Sequence, residues 1–320
     1  MQNFAIYKID MYFWHQNQIN LSKIQIMNRR QFINRSAALL AAGSIVGYYG
    51  CSKLNKGSIG IQLYSVKDEL PKDFEGTLKK LSAMGYSSVE PYGFNGDKFI
   101  ERITMKDLSV MVKDMGMTIS GTHTGSRMLP ENINDPAWDI WKKIAAELKS
   151  GGGTWAIQAS VPGGGSIDSL DNIKRVAAHF NRVGEVCKKG GVKFAFHNHT
   201  EVFAKINGEE ILDLLIKNTD PNLVFFQLDL GHTVNGGGDC IRLIRTYPNR
   251  IPLWHASDFD KANKKYIEVG KGDVPYKALF DLPKSGGLKN LTVEQETGGD
   301  IFAACKTDFD YLKQFKWTKV

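Results

Sequence analysis

From residue 57 onward the chain alternates between two hydrophobic periods. Short apolar runs rich in β-branched and aromatic residues occupy 59–64, 88–92, 118–122, 155–160, 193–199, 224–230, 252–257 and 291–294. Between them, and after the last, apolar residues recur at helical spacing over 74–84, 105–115, 138–149, 170–189, 209–218, 240–247, 276–280 and 302–315. Several of these helical segments end on glycine just before the next strand, at Gly85, Gly116, Gly151–Gly153, Gly190-Gly191 and Gly286-Gly287. Glycine there stops a helix in the left-handed conformation and turns the chain back to the sheet. Each interval holds one strand, one crossover helix and two short loops, which predicts parallel neighbours. Eight such units in about 260 residues predict an α/β fold, a single (β/α)8 barrel over residues 57–315. A doubly wound open sheet is the competitor. It loses because no Gly-x-Gly-x-x-Gly opens the first helix and no composition break divides the chain. Gly163–Gly165 and Gly236–Gly238 resemble phosphate loops, but no Lys-Ser/Thr follows either, so flexible loops at the barrel top are expected.

Composition adds little to this pattern. With 320 residues, 42% hydrophobic and 23% charged, the chain is globular, and a disordered or collagen-like polymer is excluded. The formal charge of +7 first suggests a nucleic-acid or membrane partner. Residues 1–51, however, carry Lys8, Lys23, Arg29, Arg30 and Arg35 against Asp10 alone. The remainder has 36 positive and 33 negative side chains, a net of +3, so the basic excess belongs mostly to the leader.

That leader has its own pattern. Asn28-Arg29-Arg30-Gln31-Phe32-Ile33 precedes an apolar run of small residues from Ala37 to Gly47 and ends at Gly50-Cys51-Ser52. This resembles a twin-arginine export signal and is shorter than the roughly 20 apolar residues of a membrane span. Met27, directly before it, is the expected start. Gly50-Cys51 also fits a lipoprotein cleavage site, although Tyr48 stands where an aliphatic residue is usual; an acyl group on Cys51 would be the only membrane attachment. The expectation is an exported, periplasmic protein. Cys187, Cys240 and Cys305 are scattered through helical segments and read as small core residues, neither disulfides nor ligands.

In such a barrel, chemistry sits at the C-terminal ends of the strands. Those ends carry Gln62, Tyr64, Glu90, Tyr92, His123, His197, His199, Asp229, His232, His255, Glu294 and Glu296, with Glu201 just beyond the fifth. Five of the seven histidines lie there, all but His15 and His179. Asp229, His255 and Glu294 come from three successive strands at matching depth and are the mixed N/O donors that bind Mn²⁺, Mg²⁺, Co²⁺ or Zn²⁺. Unpaired carboxylates in a barrel mouth would be costly to desolvate without a cation.

Taken together, these segments resemble the sugar phosphate isomerase/epimerase family of xylose isomerase-like TIM barrels, over residues 57–315. The marks are Gly60-Ile61-Gln62-Leu63-Tyr64-Ser65, Phe196-His197-Asn198-His199-Thr200-Glu201-Val202-Phe203, Asp229-Leu230-Gly231-His232, His255-Ala256-Ser257-Asp258, Val269-Gly270-Lys271-Gly272-Asp273 and Val293-Glu294-Gln295-Glu296. The resemblance implies a divalent metal on Asp229, His255 and Glu294, and a substrate contact from His232. One position departs from it. The ketose 3-epimerase branch carries on its fifth strand a glutamate that binds metal and exchanges a proton, and that position aligns here with Ala195. Strand alternation sends Ala195, His197 and His199 to the same face, with Glu201 continuing the series, so the missing ligand must come from His199, His197 or Glu201, or from water. His199 is the first choice, which frees Glu201 for proton transfer beside Glu294 and His232. Gln62, Tyr64, Glu90, His123, His197, Lys271 and Glu296 are expected to bind substrate. Tyr64, Tyr92, Trp155 and Trp254 have either sugar stacking or core packing open to them.

The implied reaction is proton abstraction next to a carbonyl of a free sugar or keto-sugar, giving isomerisation or epimerisation; loss of a β-substituent from the same enediolate would make a lyase or hydratase acting on a keto-sugar or keto-glycoside. Export and the lack of a basic phosphate clamp argue against a phosphorylated substrate. The abasic-site endonucleases of this barrel need further His and acidic ligands, so the expected partner is a small carbohydrate and not nucleic acid. A non-catalytic exported sugar-binding protein is the third alternative, kept open by Ala195. No oligomeric state follows from the sequence.

Overall fold

The structure is a computed structural model that describes residues 57–317 apart from Ser126 and Gly164. The leader, Met27 and Cys51 lie outside the described residues. Among the described residues, no helix is long and apolar enough to cross a membrane.

The strands, in chain order, are β1 (Ile59–Gln62), β2 (Ser88–Glu90), β3 (Thr118–Ile119), β4 (Gly121–Thr124), β5 (Trp155–Gln158), β6 (Lys193–His197), β7 (Lys205–Ile206), β8 (Glu209–Glu210), β9 (Val224–Asp229), β10 (Leu253–Ala256), β11 (Asp258–Asp260), β12 (Lys265–Ile267) and β13 (Asn290–Val293). Nine of them form one parallel sheet in the order β3-β2-β1-β13-β10-β9-β6-β5-β4. Its two ends, β3 and β4, are the halves of one strand separated only by Ser120. Pairing with β2 runs across the break, because Ser120 N donates to Val89 O at 3.1 Å and His123 N to Pro91 O at 2.8 Å. The sheet is therefore an eight-stranded barrel, nearly closed, with its third strand in two pieces. Gly121 permits the close approach of β5 there: a Cβ would stand 2.7 Å from the Trp155 carbonyl oxygen.

Helices cover the outside: α1 (Phe74–Met84), α2 (Met105–Asp114), α3 (Asp139–Ser150), α4 (Leu170–Lys189), α5 (Ile211–Lys217), α6 (Leu230–Asn235), α7 (Cys240–Thr246), α8 (Tyr276–Phe280) and α9 (Ile301–Leu312). Their starts are written in the sequence. Asp73, Thr104 and Ser169 each accept a backbone N–H of the first turn, which satisfies one of the donors that a helix start leaves open. The apolar faces pack on outward side chains of the strands; Trp141 of α3 and Phe180 of α4, for example, meet Phe194 of β6, both with ring centroids 5.6 Å apart. Cys187, Cys240 and Cys305 are buried free thiols in this shell.

Two departures from the periodic pattern matter for the site. The hairpins β7-β8 and β11-β12 interrupt the strand and helix rhythm, and the first takes the opening residues of the helix expected from 209. Gly236 and Gly238, expected in a flexible loop, press instead on Phe203: a Cβ on either would lie 2.5 Å from its side chain.

Candidate metal centre and active-site cleft

Alternation along β6 sends Ala195 and His197 into the barrel, while Phe194 and Phe196 face the helices. The inward side chains form two tiers. The lower one is apolar: Trp155, Ile157, Ala195 and Leu253 cluster together, with Phe225 packed against them. Two residues further along the same strands stand His197, Gln227 and His255, and there the barrel turns polar.

Glu90 is the hub of the upper tier. Gln62 Nε2 donates to its Oε1 at 2.8 Å and Gln227 Nε2 to its Oε2 at 3.1 Å, while His255 Nε2 lies 2.8 Å from Oε1. The other face of that imidazole, Nδ1, is 2.7 Å from Glu294 Oε2. Burial opposes a charge on His255, but the two carboxylates outweigh it and push its pKa up to about 10. Burial likewise works against ionised Glu294, yet the His255 charge prevails and brings it down to about 2. His197 is held well below the ordinary histidine value by burial and by the neighbouring histidines, so it is neutral.

Asp229 ends β9 and caps α6. Its Oδ1 accepts the His232 N–H and the Ser257 hydroxyl, each at 2.6 Å. Its Oδ2, like His197 Nε2, is buried with no hydrogen-bond partner among the described residues. Burial pushes the Asp229 carboxyl up to about 6. Unsatisfied buried polar atoms are rare and call for an explanation; among the described residues His179 Nε2 and Trp254 Nε1 are the others, and these two lie outside the cluster. His197, Asp229, His255 and Glu294 each present a donor atom, all within 4.8 Å of one another. Two imidazoles and two carboxylates at that spacing fit a divalent cation, and a cation would give both orphaned atoms a partner.

A cavity of about 410 Å³ opens over this cluster, walled by Tyr64, Tyr92, His123, His199, His232 and Glu296. Tyr64 is 43% exposed and meets Tyr92 edge to face at 5.1 Å. Thr200 Oγ1 lies 3.1 Å from His232 Nδ1, and the Tyr266 hydroxyl contacts the same nitrogen. Nε2 of that ring faces Glu296 Oε1 at 3.7 Å.

Of the expected ligands, Asp229, His255 and Glu294 come together. The fourth member of the cluster is His197, not His199. β6 ends at His197, and His199 stands at the start of the 3-10 turn 200–203, where its ring packs 4.7 Å from His232 on the cleft wall. Ala195 lies one tier too deep to be a vacated ligand position. Glu201, expected to transfer a proton, is exposed on the 3-10 turn and does not line the cleft. Gln62, Glu90 and His197, expected to touch substrate, are buried beneath the cleft. Lys271 is exposed outside it and pairs with Glu268 at 2.9 Å. The loop around Lys271 is a structural clamp, in which Asp258 accepts from the backbone of Gly270, Gly272 and Val274. Trp155 belongs to the lower tier, and Trp254 is buried against Phe280. Sequence reading missed Gln227, Ser257 and Tyr266. Gln227 carried a signal, since it precedes Asp229 by two residues on the same strand face; Tyr266, in a hairpin without periodicity, carried none.

Residues 78–318 match the family described as a xylose isomerase-like TIM barrel. The inosose dehydratase of Clostridium perfringens (strain 13) is 31% identical over 120 residues, 36% of this chain and 39% of that protein, so the match spans about two fifths of the relative's length. The crystal structure of a sugar phosphate isomerase/epimerase from Parabacteroides distasonis superposes with a TM-score of 0.71 at 29% identity, covering 84% of this chain and 98% of that one. A xylose isomerase-like TIM barrel protein from Mycobacterium smegmatis in complex with magnesium shares the fold, with a TM-score of 0.58 at 15% identity over 81% of this chain and 96% of the other.

Proposed function

Because the chain belongs to the xylose isomerase-like TIM barrel family, we propose that it is a divalent-metal-dependent enzyme that removes the proton next to a carbonyl of a sugar or keto-sugar. The observation that carries this reading is the pair of orphaned donors, Asp229 Oδ2 and His197 Nε2, inside a four-residue cluster beneath an aromatic-walled cleft. When bound, Mn²⁺, Mg²⁺, Co²⁺ or Zn²⁺ supplies positive charge beside the substrate oxygen on which negative charge develops. His197, Asp229, His255 and Glu294 would hold it. Glu90 faces the second nitrogen of His255, and Gln227 links Glu90 to His197 Nδ1; such outer partners fix ring orientation and tautomer. Tyr64 and Tyr92 give the sugar an apolar face to rest on.

Proton abstraction is assigned to Glu294 because it is a carboxylate that reaches the cleft. His232, anchored at Nδ1 and facing Glu296 with Nε2, would return a proton to carbon or to an oxygen. If the proton goes back to carbon the outcome is epimerisation or isomerisation. Delivered to a departing hydroxyl, it completes a dehydration, a reading favoured by the similarity to inosose dehydratase. Neither arm needs a phosphate: among the described residues the cleft walls carry no lysine or arginine, and the twin-arginine stretch supports work outside the cytoplasm.

The test is solvent exchange. Mn²⁺-loaded protein incubated with keto-sugars in D₂O should replace a carbon-bound hydrogen by deuterium, seen by NMR, or build up the absorbance of an enone. Asp229→Asn should lose both metal and exchange while keeping its circular dichroism, because Asn still caps α6. Exchange that persists at full rate in metal-stripped protein would overturn the reading.

A further inference from the structure

The cleft does not end at Tyr64. A second cavity, of about 490 Å³, lies between the turn 64–69 that follows β1 and the segment 295–301 that leads into α9. It shares Tyr64 and Glu296 with the cleft over the metal centre, so these two side chains form a partition and not a boundary. Each compartment alone falls within the ~300–1,000 Å³ of small-molecule sites.

The second compartment is built, not a gap between loose loops. Gln295 N donates to Ser65 Oγ at 2.9 Å, which ties one wall to the other. Gln295 Nε2 donates to the fully buried Asp308 at 2.7 Å, and its Oε1 accepts from Thr297 N at 2.9 Å. The Lys67 ammonium sits 4.0 Å from the centre of the Tyr64 ring and steadies the partition. Among the described residues around the cavity, Asp68, Glu69 and Glu296 stand against the single cation Lys67. That excess of negative charge repels a phosphate or carboxylate, whereas a wall rich in hydrogen-bonding groups suits a neutral, hydroxyl-rich ring.

We propose that this cavity is a second subsite, which takes a neutral glycosyl group attached to the sugar that reacts over the metal centre. The substrate class is then a glycoside or disaccharide and not a free monosaccharide. This rests on the function proposed above and narrows it.

The experiment measures binding of D-fructose and of the fructose-ended disaccharides turanose, palatinose and lactulose to Mn²⁺-loaded protein by titration calorimetry, with deuterium exchange followed on the same samples. At least one disaccharide should bind about tenfold or more tightly than fructose. Gly298→Trp and Asp68→Trp, which fill the cavity from opposite walls, should each bring the disaccharide-to-fructose affinity ratio to about one, with cooperative melting checked for both. A ratio near one in the unmodified protein, or a ratio that survives both tryptophans, overturns the second subsite. Fructose exchange alongside a ratio near one would leave the reaction class standing and sink only the subsite; no binding of any sugar sinks both.

Discussion

The two tiers inside the barrel share their strands and differ in everything else. Ala195, Phe225 and Leu253 belong to the lower tier; His197, Gln227 and His255, each two residues further on, belong to the upper. The lower tier asks only for shape, and close packing of apolar side chains supplies it. The upper tier buries histidines, glutamines and carboxylates at almost no exposure, and each polar atom there needs a partner. Most have one within the tier, through Glu90 and Gln227. The two that do not are those that a cation would satisfy. Stability and chemistry are thus separated along the barrel axis by a single turn of the pleat.

The most severe way to break this contrast is to move chemistry into the wrong tier. Ala195→Glu restores a carboxylate at the position that aligns with the epimerase glutamate, but it places that group among Trp155, Ile157 and Leu253. Overpacking alone costs about 1–3 kcal/mol, and a buried unpaired charge adds several more. The variant should lose most of its cooperative denaturant unfolding and gain no metal affinity. A stable Ala195→Glu protein with tighter Mn²⁺ binding would show that the two tiers are one.

That same position marks where sequence reading stops. Barrel, strand order and the trio Asp229, His255 and Glu294 were legible, because alternating periods fix parallel crossovers and strand ends collect the functional groups. Alternation also showed that Ala195, His197 and His199 share a face. It could not show depth, which depends on register between strands: His197 pairs with Gln227, not with Asp229, and β6 stops there. A two-residue difference in where a strand ends exchanged His197 for His199 and carried Glu201 out to solvent. Lys271 misled for another reason, since a glycine-flanked lysine looks the same whether its loop binds a ligand or, as here, wraps Asp258.

A milder test works within the upper tier, between the atoms that would touch a cation and those that hold the ligands in place. Glu90→Gln keeps the size of the hub and an oxygen for Gln62 or Gln227, but removes the charge that faces His255 Nε2. Disturbing an outer partner of this kind typically costs about 10–100-fold in metal affinity. Calorimetric Mn²⁺ titration should show a loss in that range, smaller than that of Asp229→Asn. Equal losses in the two variants would make Glu90 a ligand in its own right.

The smallest effect is expected at the rim, where the upper tier meets the hairpin that periodicity did not reveal. Tyr266 on β12 contacts His232 Nδ1, and burial pushes its hydroxyl pKa up to about 12, so it keeps its proton and donates it. In the neutral ring Nδ1 is then the acceptor and Nε2 carries the hydrogen that points toward Glu296 and the cleft, the tautomer needed to protonate a substrate. Tyr266→Phe removes one hydrogen bond, a matter of roughly 0.5–1.5 kcal/mol, and Thr200 Oγ1 stays near the same nitrogen at 3.1 Å. Turnover, read as deuterium exchange, should therefore fall only several-fold, with metal affinity and KM unchanged. Adding Thr200→Val should cost more than the two single changes together, because only the double variant leaves Nδ1 without a partner. If Tyr266→Phe lowers metal affinity as well, the rim and the metal tier are coupled through Asp229, whose Oδ1 accepts the His232 backbone N–H, and the separation argued for the barrel does not extend to its mouth.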